Sequence, residues 1–344
     1  MKKKLITLAI AGAVATPFVA QAGSLKVPNQ DITLSGGITG AYLYNSDTKR
    51  DAFTVPDALI DLATEAKPGG MAFDLGIGTL AGNSLASSFA PLTAIGSDTG
   101  GDPASVGVQY GWVSVLPMDG LKVDAGILAT NVGYEVVPSY SNGNILRGLV
   151  WNYQPAYYTG ARATYSTGGW NFYAEANKNA GTGSAIGANG SFGGLNAALN
   201  VFSTVNVKSI VDIILSGKVG STTIAANIDY QSKAEAAKTT GTDDNAYGIA
   251  LYATLPMGDK AILPVRLEYV SDGTSGLYGL GAAGASNTAM TFTITPTYNF
   301  SDSTFVRAEL AYVSTDKKTA AYQDDKGVNT DSNLIVGLQG GVRF

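Results

Sequence analysis

The sequence predicts an all-β chain, an antiparallel up-and-down β-barrel that crosses a membrane with its strands, sixteen of them or, with a merger in the weak region 178–203, fourteen. Three observations predict it. The last eleven residues alternate between an apolar face and a small or polar one and stop on an aromatic. The first 22 residues read as an export leader. Between them an alternating segment of roughly ten residues recurs, and no apolar run is long enough for a spanning helix.

In the terminal stretch Leu334, Val336, Leu338, Gly340, Val342 and Phe344 share one face, and Ile335, Gly337, Gln339, Gly341 and Arg343 share the other. A tilted strand of about ten residues spans a bilayer core, and a closed barrel needs a final strand to seal against its first. A soluble sandwich also contains amphipathic strands, so this end alone does not decide. The ending resembles the C-terminal strand of bacterial outer-membrane barrels, which implies that Phe344 is read by the barrel-insertion machinery.

At the other end Lys2, Lys3 and Lys4 precede an apolar run from Leu5 to Ala20, and Ala20-Gln21-Ala22 supplies small residues around a cleavage point. Residues 1–22 are therefore expected to be a signal peptide, and 23–344 a single outer-membrane domain. No Cys follows, which excludes a lipoprotein anchor. The chain has no Cys and no His, so disulfides, thiolate metal sites and imidazole chemistry are absent and no cofactor is expected. Only 14% of residues are charged, and the leader takes three of the 22 basic ones but none of the 27 acidic. The exported chain thus carries 19 against 27, a net −8, which disfavours nucleic acid as a partner.

The elements follow in order. The first strand is Ile32 to Tyr44, then a polar loop from Asn45 to Thr54 leads to Pro56 to Glu65. Lys67-Pro68-Gly69-Gly70 is a tight turn into Met71 to Gly78. A Gly/Ser-rich loop, Ala81 to Pro103, precedes Val106 to Trp112, read with Val106, Val108, Tyr110 and Trp112 on one face. Its apolar patch Leu85 to Leu92 either latches onto a neighbouring barrel, giving a homotrimer, or packs on its own. Pro117-Met118-Asp119-Gly120 turns into Leu121 to Ile127, and a long connection runs from Thr130 to Ala156. Tyr157 to Tyr165 and Trp170 to Asn177 follow, joined by Thr167-Gly168-Gly169. Residues 178 to 203, rich in Gly, Ala and Asn, read as a weak strand through Phe192, a turn at Gly193-Gly194 and a strand from Leu195 to Ser203. The remaining strands are Lys208 to Ser216, Thr222 to Gln231, Asn245 to Leu255, Ala261 to Ser271, Thr288 to Tyr298, Thr304 to Ser314 and Ser332 to Phe344. Polar loops are expected at Ser232 to Asp244, Asp272 to Asn287 and Thr315 to Asp331. Short turns and longer connections alternate, as in barrels with one short-turn rim.

Aromatics sort to strand ends. Trp112, Tyr165, Trp170, Tyr298, Phe300 and Phe344 fall near one rim and Tyr44, Tyr230, Tyr269 and Tyr312 near the other, all assigned outward as two interfacial belts facing outer-membrane lipid. The opposite faces carry Asp61, Glu65, Asp74, Lys122, Asp124, Arg162, Glu175, Asp229, Arg266, Glu268, Arg307 and Glu309 among small polar residues, the composition of a wetted lumen. Each charge reads either as pore lining or as half of an ion pair along the wall, such as Arg266 with Glu309 or Arg307 with Glu268.

The connection from Thr130 to Ala156 differs from the other loops. It contains Gly133-Tyr134-Glu135, Asn142-Gly143-Asn144, Arg147 and Trp151-Asn152-Tyr153, with Pro155 and Gly160 beyond. This order resembles the OmpL-like β-barrel porin family, in which a G-x-E element, Asn-rich positions, an Arg and a P-x-x-x-x-G stretch follow one another. Tyr158 stands here where a His is expected before the Thr-Gly pair. The resemblance implies an outer-membrane porin of a Gram-negative cell that passes small hydrophilic solutes. If the connection folds inward, Glu135 and Arg147 face each other across a constriction; if it lies outside, they only fix its shape. A barrel enzyme would need a nucleophile and base for which no spacing exists here. The rival reading is a structural or adhesive barrel without a pore.

Overall fold

A computed structural model describes residues 23–27, 30–80, 85, 106–178, 181–280 and 286–344. The export leader, and all of the apolar loop patch except Leu85, lie outside the described residues. Strands dominate: β1 (Gly23–Val27), β2 (Gln30–Asn45), β3 (Arg50–Thr64), β4 (Met71–Leu80), β5 (Gly107–Met118), β6 (Leu121–Ala129), β7 (Tyr157–Thr167), β8 (Trp170–Lys178) and β9 (Thr182–Phe192) form the first half. The second half comprises β10 (Leu195–Thr204), β11 (Lys208–Val219), β12 (Thr222–Lys233), β13 (Asn245–Pro256), β14 (Ala261–Gly273), β15 (Asn287–Ile294), β16 (Thr297–Asn299), β17 (Thr304–Gln323) and β18 (Asn329–Arg343). No described helix is long and apolar enough to cross a membrane.

From β2 to β18 each strand pairs antiparallel with its neighbours, and β18 pairs with β2, so the sheet closes. The closing register runs from Ile335 opposite Asn45 to Arg343 opposite Gly37, and Phe344 and Gly36 exchange both backbone bonds at 3.0 Å. β15 and β16 are one stave interrupted at Pro296, which has no N–H for the ladder, and β1 is an extra strand folded back on β2. The barrel therefore has sixteen staves, as the periodicity predicts, and not fourteen. The weak region resolves into β9 and β10 joined at Gly193-Gly194, whose φ values of 57° and 84° suit a tight hairpin. Gly187 sits opposite Tyr173 with the phenol ring over it, so close packing emptied the alternation there.

The outer surface is apolar. Leu338 is 53% exposed, and Val336, Leu310, Phe292, Leu267 and Leu251 also stand outward, a face that is stable only against hydrocarbon. Six of the ten expected belt aromatics are exposed on this surface, Tyr165, Tyr298, Phe300, Phe344, Tyr230 and Tyr312, and Tyr44, Trp170 and Tyr269 are half-buried.

Trp112 does not lie on this surface. β4 and β5 pair Gly76 with Tyr110 but Ile77 with Val108, leaving Gln109 as an extra residue. A bulge of one residue reverses every later side chain. Val106 and Val108 remain outward, while Tyr110 and Trp112 turn into the barrel. Two expected loops also shrink. β3 starts at Arg50 and passes through Pro56 in a bulge, where its missing N–H costs no ladder bond. β17 extends to Gln323 across two register shifts, so the loop expected at Thr315 to Asp331 is mostly hairpin.

Candidate functional site

The 27-residue connection between β6 and β7 (130–156) reaches inward-facing side chains on the far side of the barrel and forms a crosspiece. It has little regular structure, a single 3-10 turn at Ser139–Ser141 and a one-turn helix, α1 (Leu149–Asn152). Its backbone groups must find partners elsewhere. The wall supplies them, chiefly as carboxylates. Gly133 N–H donates to Asp212 of β11 at 3.2 Å, and Val150 N–H to Glu268 of β14 at 3.1 Å. The N–H groups of Ile145 and Leu146 donate to the two oxygens of Glu309 on β17, at 2.5 and 3.0 Å. Ser139 donates to Asp57 of β3 through its N–H at 2.9 Å and through its hydroxyl.

Wall arginines take the carbonyls. Arg307 of β17 donates to Asn142 O at 2.8 Å and Ser139 O at 2.9 Å, and its Nε to Gln339 of β18 at 2.7 Å. Gln339 in turn donates to the Ser139 hydroxyl at 2.9 Å. Arg266 of β14 donates to Leu146 O at 2.8 Å and to Glu135 Oε1 at 2.6 Å, and lies 3.3 Å from Glu268. Glu135 also accepts from Gly148 N–H at 2.7 Å. Charge-assisted bonds of this kind are the stronger ones, and they recur along the whole crosspiece.

Apolar contact completes the attachment. Ile145, Leu146, Leu149 and Val150 pack on Leu43, Ala250, Val270, Ala311 and Ile335, inward residues of five strands. Leu85, Tyr278, Leu280 and Tyr322 join the same cluster, and the Tyr322 hydroxyl donates to Leu85 O at 3.0 Å. Leu85 thus faces its own barrel, not a neighbour.

Of the residues expected to line a wet lumen, Glu65 lies exposed beyond β3, Asp229 accepts from Gln154 of the crosspiece at 2.8 Å, and the others divide into three groups. Arg266, Glu268, Arg307 and Glu309 are inward but buried against the crosspiece, and the expected pairs Arg266 with Glu309 and Arg307 with Glu268 are replaced by the contacts above. Glu135 and Arg147 do not face each other across open space. Glu135 binds Arg266, while Arg147, fully buried, lies 3.9 Å from Asp57, donates to Val136 O at 3.3 Å and stacks on Trp151 at 5.5 Å. Two unlike charges on one loop each found a closer wall partner, which sequence spacing does not encode.

A second group stays on its own strands. Asp124 accepts from Ser114 at 2.6 Å and pairs with Lys122 at 3.0 Å. Arg162 pairs with Glu175 at 2.8 Å, and Tyr158, at the position where His is expected, donates to Glu175 at 3.1 Å. The third group, Asp61 and Asp74, lines a cavity of about 540 Å³ below the crosspiece, which extends to Arg343 and Phe344 at the turn rim. Sequence reasoning missed Asp57, Asp212, Ser139 and Tyr322. Asp57 shares the parity of Leu59 and Asp61 and so lies on the inward face that alternation gives; the bulge reverses the residues before it, and nothing local marks its partner Ser139.

The family model described as "Putative beta-barrel porin-2, OmpL-like" matches residues 9–344. The chain belongs to this family. Among curated proteins none matches the sequence. Solved structures with a similar fold include OmpF of Salmonella typhi, in complex with daunomycin, at TM-score 0.66 and 11% identity, with 94% of this chain and 100% of that one covered. The outer-membrane channel DcaP of Acinetobacter baumannii matches at TM-score 0.63 and 11% identity, covering 94% and 100%. OmpT of Vibrio cholerae, in its trimer form, matches at 0.60 and 11%, covering 91% and 99%. At such identities the likeness concerns the fold, and with the family it places this protein among outer-membrane β-barrel channels.

Proposed function

We propose that this porin gives small hydrophilic solutes or ions passive diffusion across the outer membrane, through a barrel narrowed by the crosspiece. The observation that carries the reading is the attachment of residues 130–156 around the inner wall, to Asp57 of β3, Asp212 of β11, Glu268 of β14 and Glu309 of β17, with the cavity left open beneath it. Porosity then depends on where the crosspiece stops and which groups remain uncovered. Asp61 and Asp74 are the proposed lining charges, with Lys122, Asp124 and Arg162 beside them; Glu135, Arg147, Arg266, Glu268, Arg307 and Glu309 set the aperture by holding the crosspiece. The exported chain's net −8 supports a mild preference for cations.

Planar-bilayer recording tests this. Stepwise conductance is expected, with a larger unit step in Glu309→Ala than in the unsubstituted protein, and reversal potentials that favour cations. Protein that inserts without steps would overturn the channel reading, and an unchanged step in Glu309→Ala would overturn the narrowing.

A plugged, non-conducting barrel is the second reading, and the apolar cluster of Leu85, Leu149, Tyr278, Leu280 and Tyr322 favours it, since those side chains fill space between the crosspiece and the loop rim. The same recording separates the two. Export through a cleaved leader (1–22), recognition of Phe344 by the insertion machinery and assembly as a homotrimer belong to the same proposal. The first is tested by the N-terminus of the mature protein, the second by deleting Phe344, the third by cross-linking without heating.

A further inference from the structure

The cavity below the crosspiece has one wall whose chemistry the attachment does not use. Asp61 of β3 faces Gly76, and Asp74 of β4 faces Ala63, which makes the two carboxylates diagonal neighbours on one inner surface. Asp61 accepts from the Tyr110 hydroxyl and, at 3.4 Å, from Ser35. The Oδ1 atom of Asp74 is buried and has no hydrogen-bond partner among the described residues. Lys122, two strands away, is held by Asp124 at 3.0 Å. The Asp74 carboxyl also touches Asp61, and two acids in contact repel unless a proton or a cation lies between them, so this position favours a ligand that brings a charged donor.

Three rings stand beside these acids. Tyr110 stacks on Tyr157 with centroids 5.1 Å apart and planes at 22°, and on Trp112 at 5.7 Å and 29°. All three rings, with both carboxylates, line the cavity. Ring faces carry the negative lobe of the aromatic quadrupole, so rings and acids together attract positive charge. A neutral sugar would stack on the rings but leave the acids uncompensated, and an anion would be repelled by them.

We propose that this wall is a binding subsite for solutes that carry a primary ammonium or guanidinium group. Asp74 and Asp61 take the charged head, and the Trp112–Tyr110–Tyr157 stack takes the stem behind it. The subsite names a substrate class for the channel proposed above and rests on that reading for its use, while binding itself needs no conduction.

The test uses the mature protein in detergent micelles, with Trp151→Phe and Trp170→Phe so that Trp112 alone fluoresces. Spermidine is the cationic probe, glucose the neutral one and citrate the anionic one. Spermidine is expected to change Trp112 emission saturably, and glucose and citrate to leave it unchanged. Asp74→Asn should weaken spermidine binding about tenfold, as loss of one charge-assisted contact does. Tyr157→Leu, which removes an outer ring of the stack, should weaken it as well and serves if Asp74→Asn fails to fold; heat-shifted gel mobility reports folding of each variant. Absence of a saturable spermidine signal, equal binding by glucose, or undiminished binding in the folded variants would overturn the subsite. Spermidine binding without bilayer conductance would uphold the subsite and remove the channel reading; conductance without binding would do the reverse.

Discussion

Arg266 of β14 and Glu135 of the crosspiece meet at 2.6 Å, with the two side chains only 0% and 3% exposed. A buried pair like this contributes little compared with an apolar replacement, but either half alone is expensive. Arg266→Met is therefore expected to destabilise the folded barrel by about 3–5 kcal/mol, by leaving Glu135 charged and unpaired. Adding Glu135→Leu should recover most of that loss. Urea unfolding followed by tryptophan emission measures both, and additive losses would show that the two side chains act separately.

Asp57 of β3 carries a comparable burden across the closing junction, accepting from Ser139 and, at 2.8 Å, from Thr39. Asp57→Ala leaves the Ser139 and Thr39 donors without their acceptor, at about 1–3 kcal/mol for each stranded group, and removes the carboxylate 3.9 Å from Arg147. Protease cleavage within residues 130–156 should rise in this variant while the barrel itself resists, because the attachment fails before the sheet does.

The lipid-facing assignment is tested at one stave. Leu338 points outward and Gln339 inward, where it is bound by Arg307. Leu338→Arg should cost about 2–4 kcal/mol if that position lies near the bilayer midplane. Folding yield into lipid vesicles reads the difference from Leu338→Ala.

Trp112 and Trp170 provide an optical check on the bulge at Gln109. Single-tryptophan variants are expected to separate cleanly, with Trp170 quenched by brominated lipid and Trp112 insensitive to it. Quenching of Trp112 by the lipid label would restore the uninterrupted alternation of β5.

Outside the barrel, Asp243 clasps Thr274 across two loops, accepting from its N–H and its hydroxyl, both at 2.8 Å. The backbone N–H of Thr274, and then its hydroxyl, hold the Asp243 carboxyl below the ordinary carboxylate range. A lowered folded pKa means the clasp is fully present above the unfolded value of about 3.9 and is lost as pH falls through the lowered one. Amide exchange at Thr274, corrected for its intrinsic pH dependence, should quicken on that descent, and Asp243→Asn should weaken the protection at every pH.

Much of this architecture is written in the chain, and the exceptions have identifiable causes. Alternation along Leu334 to Phe344 is long and strict, so strand, face and closing role were all legible. Sixteen staves followed because Gly-Gly and Pro-Gly turns punctuate the alternation. Failures cluster where one residue changes the count: Gln109 reversed Tyr110 and Trp112, and Pro56, read as a strand start, sits inside a bulge. At the site, the crosspiece was recognisable by its Asn, Arg and aromatic content and its inward-facing charged partners by their parity. Which acid holds which N–H was not legible, because those contacts join residues 79 to 164 positions apart, as Gly133 with Asp212 and Ile145 with Glu309 do. Such pairings follow from closure and leave no local period.

Ser139 is gripped from both flanks of the junction between the last strand and the first, by Arg307 and Gln339 on one side and by Asp57 on the other. A sheet that has not yet curled keeps those three hands far apart and offers the turn nothing to hold. Ser139 is therefore seated only where the circle is complete, and its three partners mark the seam from within.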